Sequence, residues 1–177
     1  MCAVTILSLA LSAPARGLAF TFTTIHVPGA RSSFVFGIND AGQIVGWFLD
    51  ATGIHGFVTE AAVLTVAIDI KPGSFPNSIN LGSGGLVPVA ILSNADFDAT
   101  TVDPSTVTLA GAQVALKGKG TLMSSVEDVN GDGLLDLVVH VRTDALQVTQ
   151  TDTEAILQGE TLGGTPIEGT DSVRIVK

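Results

Sequence analysis

An all-β fold, an antiparallel β-sandwich, is predicted by three observations. Short apolar runs rich in Val, Ile, Leu and Thr recur along the chain, and such residues fit a pleated, half-buried surface. Gly, Pro, Asn and Asp interrupt the runs at short intervals, as turns between strands require. One stretch alone, Asp152 to Gln158, has the composition of a short helix, and so brief a helix does not shift the class. The 177 residues allow one ordinary domain, or one with a small appendage. The elements divide the chain into segments 1–19, 20–60 and 61–177.

Residues 1 to 19, MCAVTILSLALSAPARGLA, are apolar and rich in small side chains. Two readings stand. As a signal peptide, the segment offers Ala13-Pro14-Ala15 or Gly17-Leu18-Ala19 for cleavage, although its first basic residue, Arg16, follows the apolar run instead of preceding it. As a retained donor-strand arm, Leu7, Leu9 and Leu11 alternate with Ser8, Ala10 and Ser12. That alternation puts the large side chains on one face, suited to filling a groove in a neighbouring copy.

From Phe20 to Glu60 the pattern is that of hairpins. FTFTTIHV is followed by Pro28-Gly29, FVFGI by Asn39-Asp40-Ala41-Gly42, QIVGWF by Asp50-Ala51-Thr52-Gly53, and then HGFV. The stretch Phe36 to Phe57, FGINDAGQIVGWFLDATGIHGF, resembles the extracellular HAF-type repeat of bacterial secreted proteins, in which GINDxGQIVG is followed shortly by HGF or HAF. Such repeats come in arrays, and one copy is present here. A lone unit of about three short strands can neither bury its own face nor pair its own edges, so a partner is expected.

From Ala61 onward the predicted strands are VLTVAIDI (63–70), LVPVAILS (86–93), TVTLA (106–110), LLDLVVHV (134–141) and SVRIV (172–176). A Lys71-Pro72-Gly73 turn follows the first, and Gly82-Ser83-Gly84-Gly85 reads as a hairpin turn before the second. Residues Ile68 to Val176 resemble a domain of large bacterial secreted and surface proteins. IDIKPGSFPNSIN, GLVPVAIL, EDVNGDGLLDLVVH and GTDSVRIV carry the likeness. The resemblance implies an extracellular or cell-surface location and a β architecture, without an associated catalytic activity.

The sharpest chemical signal is Asp128-Val129-Asn130-Gly131-Asp132-Gly133-Leu134-Leu135-Asp136. Side-chain oxygens fall at loop positions 1, 3, 5 and 9 through Asp128, Asn130, Asp132 and Asp136, and Leu134 at position 7 can offer a backbone carbonyl. Calcium is a hard cation that takes about 6–8 oxygens, and this set supplies much of that shell. Position 12, where a helix-flanked loop carries a bidentate Glu, is Val139 within an apolar run. The loop is therefore strand-flanked, and it is similar to the calcium loops of integrin-type propeller repeats, where the aspartate at position 9 replaces the glutamate. The competing reading is a plain Asn-Gly-Asp-Gly turn. Against it, a turn does not need Asp128 and Asp136, and clustered carboxylates without a cation repel one another. Asp96, Asp98 and Asp103 form a second acidic cluster, read either as ordinary turn residues or as a second cation site. Asp69, Asn77 and Asn80 flank the Lys71-Pro72-Gly73 turn.

Composition narrows the function. Charged residues make up 14% of the chain, against about 25% in an ordinary soluble domain. Hydrophobic residues reach 46%, mean hydropathy is +0.50, and Tyr is absent. No run approaches the roughly 20 consecutive apolar residues of a spanning helix, so the apolar surface is expected to go into contacts with other copies. The net charge of −9 disfavours nucleic acid and anionic lipid. The single cysteine, Cys2, excludes an internal disulfide and a Cys-ligated zinc site. His26, His55 and His140 are far apart, and no Gly-x-Ser-x-Gly, His-Glu-x-x-His or phosphate-loop motif is present. The expectation is a non-enzymatic extracellular structural protein of a bacterial secreted type. It is expected to be stabilised by Ca²⁺ and to assemble as a homo-oligomer or helical polymer, in a fibre or surface layer, through N-terminal strand exchange. The alternatives are a monomeric accessory or adhesive module and a secreted hydrolase.

Overall fold

The computed structural model describes residues 5–10 and 21–176. The chain is all-β and divides into two units, Met1–Ala61 and Ala62–Lys177.

In the first unit, strand β1 (Thr5–Ala10) pairs antiparallel with β2 (Thr21–His26), from Thr5 opposite His26 to Ala10 opposite Thr21. The cleavage positions Ala13-Pro14-Ala15 and Gly17-Leu18-Ala19 lie outside the described residues. Strands β3 (Ser32–Ile38), β4 (Ile44–Leu49) and β5 (Ile54–Val58) form a separate antiparallel meander in the order β3-β4-β5. Its turns are where Asn, Asp and Gly place them. The Asn39 side chain accepts the Gln43 N–H at 2.8 Å, and Gly42 supplies the positive φ of +72° that closes the turn. Thr59 finishes the sheet: its N–H donates to the Ile44 carbonyl, and its hydroxyl accepts the Ile44 N–H. A bulge between Val35 and Gly37 shifts the register of β3.

The second unit contains β6 (Leu64–Thr65), β7 (Ile68–Ile70), β8 (Ser78–Asn80), β9 (Leu86–Ile91), β10 (Thr108–Leu109), β11 (Ala112–Gln113), β12 (Leu116–Lys117) and β13 (Thr121–Leu122). It continues with β14 (Ser124–Glu127), β15 (Asp136–Arg142), β16 (Glu154–Glu160), β17 (Pro166–Ser172) and β18 (Arg174–Val176). β12-β13 and β18-β8 form separate two-stranded sheets, and the two larger sheets have the orders β11-β10-β16-β17-β6 and β14-β15-β9-β7. One core lies between them. Val87, Val89 and Ile91 of β9 and Leu137, Val139 and Val141 of β15 meet Leu109, Ala155, Leu157 and Ile167 from the opposing sheet. Burying each of the larger side chains contributes about 1.5–3 kcal/mol. The pairing is antiparallel except that β6 runs parallel to β17 and β8 parallel to β18.

Three expectations are corrected. The run 63–70 is not one strand: it breaks at Val66-Ala67, so β6 joins one sheet and β7 the other. The inner face of β17 fixes this crossing. Ile167 fills the core, Gly169 leaves room for the chain at Val66–Ile68, and the Asp171 carboxylate accepts the Ile70 N–H at 2.8 Å. A Cβ on Gly169 would lie 2.6 Å from Ile68 Cγ2 and 2.9 Å from the Val66 carbonyl. Secondly, Gly82-Ser83-Gly84-Gly85 is not a hairpin turn, because β8 and β9 belong to different sheets. A 3-10 turn over Leu81–Ser83 carries the chain between them, capped by the Asn80 side chain and ended by Gly84 with φ of +59°. Thirdly, the helix-like stretch 152–158 falls largely in β16, where Ala155 and Leu157 are buried and Glu154, Ile156 and Gln158 are exposed. The period of two overrides composition.

Candidate functional site

The loop between β14 and β15 holds four of the candidate ligands, and Asp136 opens β15. Asp128 is the hub. Its Oδ1 accepts the N–H groups of Gly131 and Asp132, and its Oδ2 accepts that of Gly133. Gly131 and Gly133, with φ of +78° and +87°, let the backbone curl so that these donors converge on one carboxylate. Asn130 Oδ1 accepts the Asp132 N–H, Asn130 Nδ2 donates to Asp132 Oδ2, and Asp132 Oδ1 accepts the Leu134 N–H.

Asp136 is set apart from this tip. It is fully buried, and its two oxygens accept backbone N–H groups from two different loops, Ser93 at 2.8 Å and Val129 at 2.9 Å. No ion pair involving it is found among the described residues. Ser93 is the neighbour of this loop that sequence reasoning missed. Its hydroxyl donates to the Leu135 carbonyl at 2.6 Å and accepts the Ala99 N–H at 2.8 Å. Ser93 thereby ties the 93–99 segment to the 128–136 loop. The legible signal was a polar residue ending the buried run LVPVAIL. A groove of about 330 Å³ lies along this seam, lined among others by Phe97, Asp98, Gly133, Leu134 and Leu135.

The donor chemistry of the loop fits calcium: three carboxylates and an amide, all hard oxygens. Each carboxylate oxygen that accepts an N–H retains further acceptor capacity. In the present arrangement Asn130 is turned onto Asp132. Among the described residues no group of three or more His, Cys, Asp or Glu side chains is arranged to hold a metal.

The second acidic cluster is spread over separate turns. Asp98 caps the 3-10 turn Ala99–Thr101, and the Thr100 hydroxyl, then its N–H, holds the Asp98 carboxyl below its ordinary pKa. Asp103 is held down in the same way by the hydroxyl and N–H of Ser105. Asp96 donates its N–H to the Asn94 side chain. Near the Lys71 turn, Asn77 donates through Nδ2 to Asp171 Oδ2 and the Ser172 carbonyl, both at 3.0 Å, while its buried Oδ1 has no hydrogen-bond partner. Asp69 is close enough to Asp171 that burial, then that neighbour's charge, raises its pKa. Asp69 and Asn77 thus meet at Asp171, whereas Asn80 serves its own turn.

The histidines occupy unrelated environments. His55 Nε2 lies 2.9 Å from the Thr52 hydroxyl and 3.2 Å from Asp50 Oδ1, with its ring stacked on Phe48. The hydroxyl and N–H of Thr52 pull the Asp50 pKa down to about 2, with smaller help from the Gly53 N–H and His55. His140 Nδ1 is buried without a hydrogen-bond partner, and His26 is exposed.

No protein-family model matches the chain, and no curated protein sequence matches it significantly.

Proposed function

We propose that this chain is a non-enzymatic extracellular structural protein of a bacterial secreted type, which assembles into a fibre or surface layer by exchanging its first strand between copies. The observation that carries the reading is the β1–β2 ladder. It forms a sheet of its own, and a two-stranded ladder is marginal in isolation. Six residue pairs join β1 to β2. The same six pairs formed with β2 of a neighbour would conserve the backbone hydrogen bonds while linking copies head to tail. Such a contact is heterologous, so it extends without closing.

Calcium belongs to the same proposal. Asp128, Asn130, Asp132, the Leu134 carbonyl and Asp136 would hold the ion, whose charge would offset the crowded carboxylates and pin the loop. The buried Asp136 supports this part: its oxygens accept two backbone N–H groups, but it has no ion pair among the described residues, and a buried charge is costly without a countercharge. A second reading, a monomeric accessory or adhesive module, is favoured by the self-contained core of Ala62–Lys177.

Deleting residues 1–19 from the exported protein, followed by electron microscopy and size exclusion with calcium, separates the readings. Strand exchange expects filaments from the full chain and none from the truncated one. Undiminished filaments after truncation would remove the arm from the mechanism. A sharp peak at 18.0 kDa from the full chain would favour the module.

A further inference from the structure

We propose that one apolar face of the β3-β4-β5 sheet, formed by Phe34, Val45, Trp47, Leu49, Ile54 and Val58, docks against the same face of a second copy of this chain. The inference rests on the self-assembly reading and names a contact for it other than strand exchange.

Register places the six together. Phe34 sits opposite Trp47 with the rings stacked at 4.6 Å, Leu49 opposite Ile54, and Val45 opposite Val58. In a soluble half-buried sheet one of the two faces is polar. Here neither face is polar: on the opposite one, which also carries His55, Val35 and Ile38 are exposed, and on this one Phe34 is 54% exposed, Val45 45%, Ile54 71% and Val58 61%. The remaining register positions of this face are Ser32, Gly37 and Gly56, so it carries no charged residue at all.

Area and charge select the occupant. The exposed parts of these side chains amount to about 500 Å² per copy. Two faces together would bury about 1,000 Å², the lower limit of a specific protein contact. A smaller or more polar partner would leave part of the patch wet. In a chain of net charge −9, a charge-free face brings no like charges together when two copies meet. Sheet faces pack on one another with their mean strand directions about 30° apart, so an apolar three-stranded face can complement itself. A two-fold axis through β4 would put the Phe34–Trp47 pair at the centre, where aromatic anchors contribute most.

Trp47 is the sole tryptophan of the chain, so indole emission reads this face directly. The test uses dilute, filament-free full-length protein, so that the outcome of the arm deletion does not enter it. Between about 1 and about 100 µM, the second-copy contact expects a blue shift of Trp47 emission and several-fold weaker acrylamide quenching. The sedimenting mass should double over the same range. Val58→Lys and Ile54→Lys, with circular dichroism confirming that each is folded, should keep the dilute-state spectrum and the single mass throughout. Ile54 lies at the end of β5 and serves if Val58→Lys unfolds the sheet. Emission independent of concentration, or a doubled mass retained in both variants, would overturn the proposal. So would a blue shift that arises only on adding phosphatidylcholine vesicles, which would assign the face to a lipid surface.

Discussion

Asp136→Asn exchanges one carboxylate oxygen for an NH2 group at a position where both oxygens accept backbone N–H groups. The donors are Ser93 at 2.8 Å and Val129 at 2.9 Å, and the side chain is fully buried. Whichever way the amide turns, one of those N–H groups then faces another donor. Losing a hydrogen bond to a charged acceptor costs about 1.5–3 kcal/mol, and a buried N–H left unpaired adds about 1–3 kcal/mol. Removing a desolvated charge returns part of this, leaving a net loss of about 2–4 kcal/mol. For a domain of this size the melting temperature should fall by roughly 8–16 °C. The assay is scanning calorimetry of the full chain in excess chelator, so that hydrogen bonding alone is read, together with amide exchange at Ser93 and Val129. Both amides should exchange much faster in the variant, and Asp136→Ala, which strands both donors, should fall further. A melting temperature within about 2 °C of the parent, with both amides still protected, would refute the assignment of Asp136 as the joint between the two loops.

Two further outcomes follow from the same geometry. Calcium in excess over chelator should raise the melting temperature of the Ala62–Lys177 transition, because an ion held by the folded loop alone stabilises by mass action; an unchanged midpoint would sink the calcium site. Gly169→Ala forces a Cβ to within 2.6 Å of Ile68 Cγ2 and 2.9 Å of the Val66 carbonyl. It should therefore cost about 1–3 kcal/mol by overpacking in urea denaturation, and a neutral result would show that the crossing at Val66-Ala67 has slack.

Much of the fold was legible because β-branched runs and turn residues mark strands locally. In 20–60, each predicted run overlaps an observed strand to within one or two residues at its ends, and Asn39 and Asp50 build their turns with their own side chains. The information that failed to show was non-local. Nothing in VLTVAIDI marks where pairing with β17 gives way to pairing with β9, because the break falls at Val66-Ala67, inside the apolar part of the run, and its one charged residue, Asp69, lies within β7. The deciding features, Gly169 and Asp171, lie about a hundred positions away. Likewise Gly82-Ser83-Gly84-Gly85 reads as a reversal, and only the placement of β8 beside β18 makes it a crossing. In the candidate site, Asp128, Asn130 and Asp132 announce themselves by spacing, and the structure gives each a backbone partner within the loop. Ser93 has no motif. Its role depends on β9 lying beside β15, which brings Ile91 opposite Leu137 and so Ser93 close to Asp136.

The two parallel pairings have a mechanical consequence. β6 and β8 lie early in the second unit and β17 and β18 late, and each early strand runs in the same direction as its late partner. Tension drawn from residues 62 and 176 would pull the members of each pair in opposite directions along their own axes. The ladder bonds would then be loaded together in shear instead of being opened one at a time from an end. Backbone pairing that looks incidental in an otherwise antiparallel sandwich thus acts as a clamp, and stretching resistance is set by where the chain enters and leaves the sheets.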